Sequence, residues 1–454
     1  MSRTVTRFAP SPTGLLHAGN YRTAVFAYLF AKHTGGKFIV RIEDTDTVRS
    51  KPEYEANIFD ALKWLHLSAD ETYRQSENAP RHHELLEKLI ANDSAYISKE
   101  TPRNPGDREE VIRFRNQGGT CAFTDVVHGE ITTDVTDLGD FVIARSFDEP
   151  VFHFAVVVDD ADEGVTHVIR GEDHISNTPR QILIQRALGF DTPTYAHLPL
   201  ILGNDRTKLS KRRGAKALTE YRNLGYLPEA ILNYLTLLGW NPGSDEEYFT
   251  REELIKYFDL ARVQKGGAIF DEVKLSSVNQ HWMRKLSDDA FLAHVSDIGS
   301  PTSDVGLPMS DNTEVLKKTV HLLKERAKSF KEAREILSGE LSCLFNEPML
   351  DQKQLIAKEP KDRPGLTKLA IESLLEPIKA LSDDVSVETV KNTIMPFADA
   401  EEAKGKGGRG AVLWPLRYAL SGQERSPDPF TIISIIGGKE AASRILKSIA
   451  ILKQ

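Results

Sequence analysis

The chain has 454 residues, 40% hydrophobic and 27% charged, a size and balance that suit a soluble protein of two to four domains. No apolar run approaches the roughly 20 residues that a membrane-spanning helix needs, and the net charge of −8 argues against indiscriminate coating of nucleic acid while leaving local RNA binding open. MSRTVTRFAPSPTG lacks an apolar signal core, and the two cysteines, Cys121 and Cys343, lie 222 positions apart. These features predict a cytoplasmic protein with no removable leader, no disulfide framework and no cysteine metal cluster.

Val5 to Phe8 read as a short strand, ended by turn chemistry at Pro10 and Pro12. Asn20 to Lys32 carry Ala24, Val25, Tyr28 and Leu29 at helical spacing, and Gly35-Gly36 stop the helix. Phe38 to Ile42 form a mostly apolar run, the pattern of a buried parallel strand. Helices follow at about 52–66 and 79–92. Strands are predicted at Val156-Val157-Val158, Val168-Ile169-Arg170 and Leu198–Leu202, with a helix at about 175–188. Alternating strands and helices predict a parallel α/β sheet. Between about 97 and 145 the pattern breaks into short strands and turns, read as a small inserted domain. After about 215 strand signals nearly vanish, and from Pro228 onward helical periodicity dominates.

Three motifs carry chemistry. Arg7-Phe8-Ala9-Pro10-Ser11-Pro12-Thr13-Gly14 leads into His17-Ala18-Gly19-Asn20 at the mouth of the first helix. A helix N-terminus offers N–H groups and a positive dipole end to phosphate. His17 and Asn20 share one side of that turn, and Gly19 permits close approach of a purine or backbone. Taken alone, such a tetrapeptide is more often only a helix cap. Arg206-Thr207-Lys208-Leu209-Ser210-Lys211-Arg212-Arg213 places five basic residues in eight on a loop, suited to a polyphosphate or to a plain solvated surface. Val168-Ile169-Arg170-Gly171-Glu172-Asp173-His174, after Asp159-Asp160, puts charge where open α/β sheets bind ligands; a surface salt-bridge cluster is the other reading.

In this order and spacing the motifs become specific. The chain resembles the class I aminoacyl-tRNA synthetases, whose signatures are written HIGH and KMSKS; His17-Ala18-Gly19-Asn20 and Lys208-Leu209-Ser210-Lys211-Arg212 are close variants. Within that class, R-F-A-P-S-P-T-G, F-I-V-R-I-E-D-T-D (38–46), Y-R-Q-S-E (73–77), V-I-R-G-E-D-H (168–174) and G-Y-L-P-E-A-I-L-N-Y-L-T-L-L-G-W (225–240) resemble the bacterial-type glutamyl-tRNA synthetases. The similarity is strong over about 1–95 and 145–285 and weaker beyond, where Gly410, Pro415-Leu416-Arg417 and Ser421-Gly422 carry it.

The resemblance implies a Rossmann-like α/β catalytic domain with a small α+β insertion, followed by all-α stem-contact and anticodon-binding domains. Its expected limits are 1–96 and 146–205 for the two catalytic halves, 97–145 for an acceptor-stem-binding insertion, 206–300 for the stem-contact domain with the KLSKR loop, and 301–454 for the anticodon-binding domain. ATP would meet His17, Gly19, Asn20, Lys208, Leu209 and Lys211. Catalysis would rest on His17, Lys208, Ser210 and Lys211, with Mg²⁺ held by the ATP phosphates rather than by a protein cage. L-glutamate would meet Arg7, Ala9, Ser11, Glu43, Phe152 and Arg170, the two arginines taking its side-chain carboxylate. For Glu43 a structural salt bridge to Arg41 or Arg49 is the alternative.

Two departures from the family stand out. Phe152 replaces a tyrosine that many relatives use in the glutamate pocket, and Ala95-Tyr96-Ile97-Ser98-Lys99 lacks the thiols of the zinc site that many carry, so no structural zinc is expected. Lys99, Arg113 and Arg115 suit tRNA phosphates or plain solvent equally. Arg409, Trp414 and Arg417 are candidates for reading the anticodon of tRNA(Glu), although a tryptophan such as Trp414 is more often a core residue. Lys317, Lys318, Lys324, Arg326, Lys328, Lys331 and Arg334 form a basic bias over 316–336, again either phosphate-facing or solvated. A monomer is expected. Charging of tRNA(Gln) as well as tRNA(Glu) is the nearest rival activity; a non-catalytic tRNA-binding relative would be expected to lose the ATP loop, which is present.

Overall fold

A computed structural model describes residues 3–101, 109–209, 216–297, 313–361, 363–403 and 408–453. The chain divides into two compact units at Asn279/Gln280. In the first, β1 (Val5–Phe8), β2 (Lys37–Ile42) and β3 (Glu71–Arg74) alternate with α1 (Ala18–His33) and α2 (Pro52–Trp64), and α3 (Ala79–Ala91) follows. Then come β4 (Ala95–Lys99), β5 (Glu110–Phe114), β6 (Thr120–Asp125), β7 (Gly129–Asp134) and β8 (Phe141–Ala144). After α4 (Phe152–Asp162), β9 (His167–Gly171) and α5 (Thr178–Leu188) lead to β10 (Thr194–Leu198) and the short β11 (Ile201–Leu202).

The main sheet has the order β3-β2-β1-β9-β10-β6-β7. Every pairing in it is parallel except that of β6 with β7. Its inner strands are covered on both faces, so β2 reads apolar almost throughout and is buried from Phe38 to Ile42. The strand order turns outward in both directions from β1 and β9. Open α/β sheets bind ligands at such a switch point, beyond the carboxyl ends of the strands.

One expectation is corrected. Val156-Val157-Val158 lie within α4, not in a strand. Phe154 to Asp160 are all buried, so the helix is apolar around its circumference and the β-branched run carries no period that distinguishes it from a buried strand. The strands of segment 97–145 join two sheets: β4, β5 and β8 form a separate antiparallel sheet, whereas β6 pairs with β10 at Asp125↔Tyr195 and extends the main sheet. Two cores follow that division. Leu85, Leu86 and Leu89 of α3 pack with Ile112, Phe114 and Phe141 and with α4, while Cys121, Phe123, Val168 and Tyr195 pack under the sheet's other half.

The remainder of the first unit holds α6 (Leu218–Asn223), α7 (Pro228–Leu237) and α8 (Arg251–Tyr257), then β12 (Ala268–Ile269), which pairs with β11, and the first eight residues of α9 (Glu272–Lys285). Arg22 of α1 is buried and donates from Nη1 to the Leu238 carbonyl at 3.1 Å and from Nη2 to that of Pro199, tying α1 to the segments after β10 and α7. The second unit is helical among its described residues: α10 (Asp288–Asp297), α11 (Thr313–Arg326), α12 (Phe330–Ser338), α13 (Gln352–Leu355), α14 (Leu366–Lys379), α15 (Val387–Ala403), α16 (Gly410–Ser421) and α17 (Pro429–Leu452). Its core includes Ile371, Leu374, Ile394, Leu416, Ile432 and Ile445. Among the described residues no helix is long and apolar enough to cross a membrane.

Candidate active site at the carboxyl ends of β1 and β9

A cavity of about 560 Å³ opens where β1 and β9 end, and its lining includes Arg7, Ala9, Ser11, Glu43, Phe152 and Arg170 together with Asn20. The six residues expected to meet glutamate are thus gathered from β1 and its following turn, β2, α4 and β9. His153, His174 and Asn177 also line it; His174 ends the Val168–His174 motif, whereas His153 and Asn177 carried no sequence signal. Burial, then nearby arginines, pushes both histidines down to about 4, so they are neutral hydrogen-bonding groups at pH 7. Phe152 opens α4 and is partly exposed, with its ring 5.5 Å from that of His174.

Arg7 is buried, and its Nε donates to Asp160 Oδ1 at 3.0 Å. Asp160 reaches it because α4 is a helix, which sets residue 160 one turn beyond the cavity-lining Val156. The same oxygen accepts from Arg41 Nη1 at 2.8 Å. Arg41 is fully buried, with Glu163 at 2.7 Å, Glu43 at 3.2 Å and Asp159 at 3.8 Å. Burial raises Glu43, and Arg41 offsets that only in part. Asp160 is held below its ordinary value because Arg7 and Arg41 outweigh its burial. Glu43 therefore has the Arg41 contact foreseen as an alternative role while still lining the cavity; Arg49 pairs instead with Asp46.

At the mouth of α1, His17 is the N-cap. Its Nδ1 accepts from the Gly19 amide at 3.0 Å, and Asn20 Oδ1 accepts from the His17 amide at 3.1 Å, a reciprocal capping box. Gly19 has a local reason to be glycine: a Cβ there would stand 2.8 Å from His17 Cε1. It would also be 3.8 Å from Ile201 Cδ1, which places β11 beside this turn. Lys208 bridges to Leu202, the Leu209 amide donates to the Ile201 carbonyl at 2.8 Å, and Ala217 bridges to His17. Both described ends of the basic loop are therefore pinned around the first turn of α1. Lys208 Nζ meets Asp173 Oδ2 at 2.7 Å. Ser210 and Lys211 lie outside the described residues.

Elsewhere the expected RNA contacts are engaged within the fold. Arg113 pairs with Glu100 and Arg115 with Asp93. On α11, Lys317 meets Glu314, Lys318 meets Asp384, Lys324 meets Asp288 and Arg326 meets Glu340. Arg409 pairs with Asp399 and Glu402. The Trp414 ring is half-buried and flanked by cations, Arg417 at 4.8 Å and Lys358 at 5.5 Å, and its Nε1 donates to the Gln354 carbonyl at 3.2 Å.

A parallel sheet with a ligand cavity at its switch point and a capped helix N-terminus flanked by the described ends of a basic segment are the parts of a nucleotide-dependent α/β enzyme. The family described as "tRNA synthetases class I (E and Q), catalytic domain" matches residues 3–104 and 103–277, and "Anticodon binding domain" matches 289–449. The chain belongs to the class I tRNA synthetases of the E and Q group. It is 38% identical to a glutamate–tRNA ligase of Carboxydothermus hydrogenoformans over 97% of this chain and 98% of that one. It is 39% identical to glutamate–tRNA ligase 1 of Mesorhizobium japonicum over 98% and 99%. A crystal structure of a glutamate tRNA ligase from Elizabethkingia meningosepticum in complex with its amino acid superposes with a TM-score of 0.84 at 32% identity, covering 99% of this chain and 100% of that chain.

Proposed function

We propose that the protein activates L-glutamate with ATP and transfers it to the 3′ end of tRNA(Glu). The observation that carries this reading is the single cavity into which Arg7 and Arg170 both face, beside the capped start of α1 and the pinned ends of the basic loop. In the first step an oxygen of the glutamate α-carboxylate bonds to the α-phosphorus of ATP, and the bond to the β-phosphate oxygen breaks to release pyrophosphate. In the second, a ribose hydroxyl of the terminal adenosine attacks the activated carbonyl, and AMP leaves. Neither step needs a covalent protein intermediate, so positioning and stabilisation of charge are the protein's contributions.

Arg7 and Arg170 take the side-chain carboxylate. Ser11 and Glu43 receive the α-ammonium, Ala9 supports it through the backbone, and Phe152 closes the apolar side. His17, Gly19 and Asn20 form the seat for ATP. Lys208 and Leu209 lead into Ser210 and Lys211, which neutralise the departing phosphates. Mg²⁺ enters with ATP as part of that substrate, carried on the phosphates. Segment 97–145 receives the acceptor stem, 206–300 contacts the tRNA stem, and 301–454, with Arg409, Trp414 and Arg417, reads the anticodon. The protein works as a cytoplasmic monomer without structural zinc.

The test is ATP–pyrophosphate exchange with glutamate, with and without tRNA, together with charging of purified tRNA(Glu) and tRNA(Gln). Glutamate-dependent exchange and charging of tRNA(Glu) are expected, with Lys211→Ala losing on the order of a hundredfold in rate. Exchange that responds to another amino acid and not to glutamate overturns the reading.

A further inference from the structure

Three buried arginines stand at this site, and Arg170 differs from the others in what holds it. Arg7 and Arg41 touch carboxylates. Arg170 is 7% exposed, and its partners are neutral. Its Nε donates to His197 Nε2 at 3.1 Å, its Nη2 donates to Thr178 Oγ1 at 2.8 Å, and its guanidinium lies over the Tyr195 ring at 5.4 Å. Among the described residues no carboxylate stands within 4.0 Å of it. A buried cation with no acid in contact is costly, and burial pushes Arg170 down to about 10 although the more distant Asp160 and Glu43 pull the other way. It is positioned to receive an anion.

The grip on Arg170 depends on a ring in one tautomer. His197 accepts at Nε2 only if its proton sits on Nδ1. Asp125 enforces that: its Oδ2 lies 2.7 Å from His197 Nδ1 and also accepts from the His197 amide at 3.0 Å. The other oxygen, Oδ1, accepts from the Val127 and His128 amides at 2.9 Å each. Both residues are buried, His197 on β10 and Asp125 at the end of β6 where that strand pairs with β10. Burial keeps His197 below its ordinary value although Asp125 pulls the other way, so the ring stays neutral.

We propose that Asp125 and His197 are positioning residues that aim Arg170 through a neutral acceptor, leaving its positive charge uncompensated for the carboxylate of the amino-acid substrate. An acid in place of His197 would spend that charge inside the protein, and an apolar side chain would leave Nε without an acceptor and the guanidinium unaimed. The proposal rests on the reading of Arg170 as a carboxylate ligand.

The experiment compares KM for glutamate, KM for ATP and kcat in aminoacylation of tRNA(Glu) for His197→Leu, His197→Gln and Arg170→Gln. His197→Leu raises KM for glutamate roughly 10- to 100-fold with little change in KM for ATP, and His197→Gln, which restores a neutral acceptor, recovers most of that loss. Equal losses in the Leu and Gln variants, or losses shared with ATP, overturn the proposal in favour of a purely structural role. If His197→Leu does not fold, Asp125→Asn replaces it. With Nδ2 facing His197, the ring takes the Nε2–H tautomer, donor against donor with Arg170, and KM for glutamate rises; adding His197→Gln lowers it again. An Asp125→Asn enzyme with unchanged KM overturns the assignment of Asp125. Arg170→Gln separates the two ideas: if it leaves KM for glutamate unchanged, the underlying reading fails, and if it raises KM while Leu and Gln at 197 behave alike, only the positioning proposal fails.

Discussion

The acids around Arg41 set a measurable pH dependence of stability. Glu43, Asp159, Asp160 and Glu163 all lie within 4 Å of its guanidinium; Arg7 also meets Asp160, and Gln75, Asn78 and the His82 ring hydrogen-bond Asp159. Carboxylates outnumber arginines, so the folded state favours a proton somewhere in the cluster. Burial, only partly offset by Arg41, pushes Glu163 from 4.5 up to about 7. A carboxyl whose folded value lies above its unfolded value stabilises fully below pH 4.5 and loses that contribution as pH rises through 7. Between pH 5 and 8 the loss integrates to about 2.5 kcal/mol. Glu163→Gln replaces the titrating group with a neutral one whose oxygen can still accept from Arg41 Nη1, so the variant should lack most of this slope. Hydrogen exchange of the β2 amides, corrected for intrinsic rates and measured from pH 5 to 8, reads the effect in the unit concerned. A variant that keeps the parental slope refutes the account of the cluster.

Three further outcomes follow from the site. Gly19→Ala forces a Cβ to within 2.8 Å of the His17 ring; displacing that cap costs about 1 kcal/mol, and KM for ATP should rise roughly five-fold, whereas an unchanged KM would separate the cap from ATP binding. Lys208→Ala breaks an exposed contact to Asp173 worth under about 1 kcal/mol, so thermal denaturation should barely move while kcat falls on the order of tenfold or more; a normal kcat removes Lys208 from catalysis. Trp414→Ala deletes a ring set between Lys358 and Arg417, and base stacking of about 1–3 kcal/mol predicts at least a several-fold rise in KM for tRNA with pyrophosphate exchange unaltered. A lowered melting temperature with unchanged tRNA kinetics would make that ring purely structural.

Much of the sheet was legible because its signals are local. Phe38 to Ile42 form a strand apolar at every position but Arg41, and the turn after Phe8 is written in prolines and glycine. The gathering of Arg7, Ala9, Ser11, Glu43, Phe152 and Arg170 was legible only through long motifs, since no periodicity brings β1, β2, α4 and β9 to one point. What escaped was pairing across distance. Arg41 meets Asp160 across 119 positions, and Asp125 meets His197 across 72. A polar residue in a strand gives no sign of its partner until register is known. The α4 misreading compounded this, because a strand at 156–158 would alternate Asp159 and Asp160 across its faces instead of setting Asp160 a turn beyond Val156.

The two cavity arginines are therefore not equivalent. Arg7 shares Asp160 with Arg41, so its charge is already answered inside the protein, and on the proposed reading its contribution to a bound carboxylate is chiefly hydrogen-bonding geometry. Arg170, held by His197 and Thr178 with no acid in contact among the described residues, keeps its charge. On the proposed reading, a glutamate carboxylate supplies the missing anion, whereas the neutral amide of glutamine leaves the cation uncompensated. The energetic gap between the two amino acids then arises mainly at Arg170, where a charge-assisted contact in a buried site is worth roughly 1.5–3 kcal/mol. On that reading, selection of an acidic substrate depends as much on having no carboxylate in contact with Arg170 among the described residues as on the presence of the arginine itself.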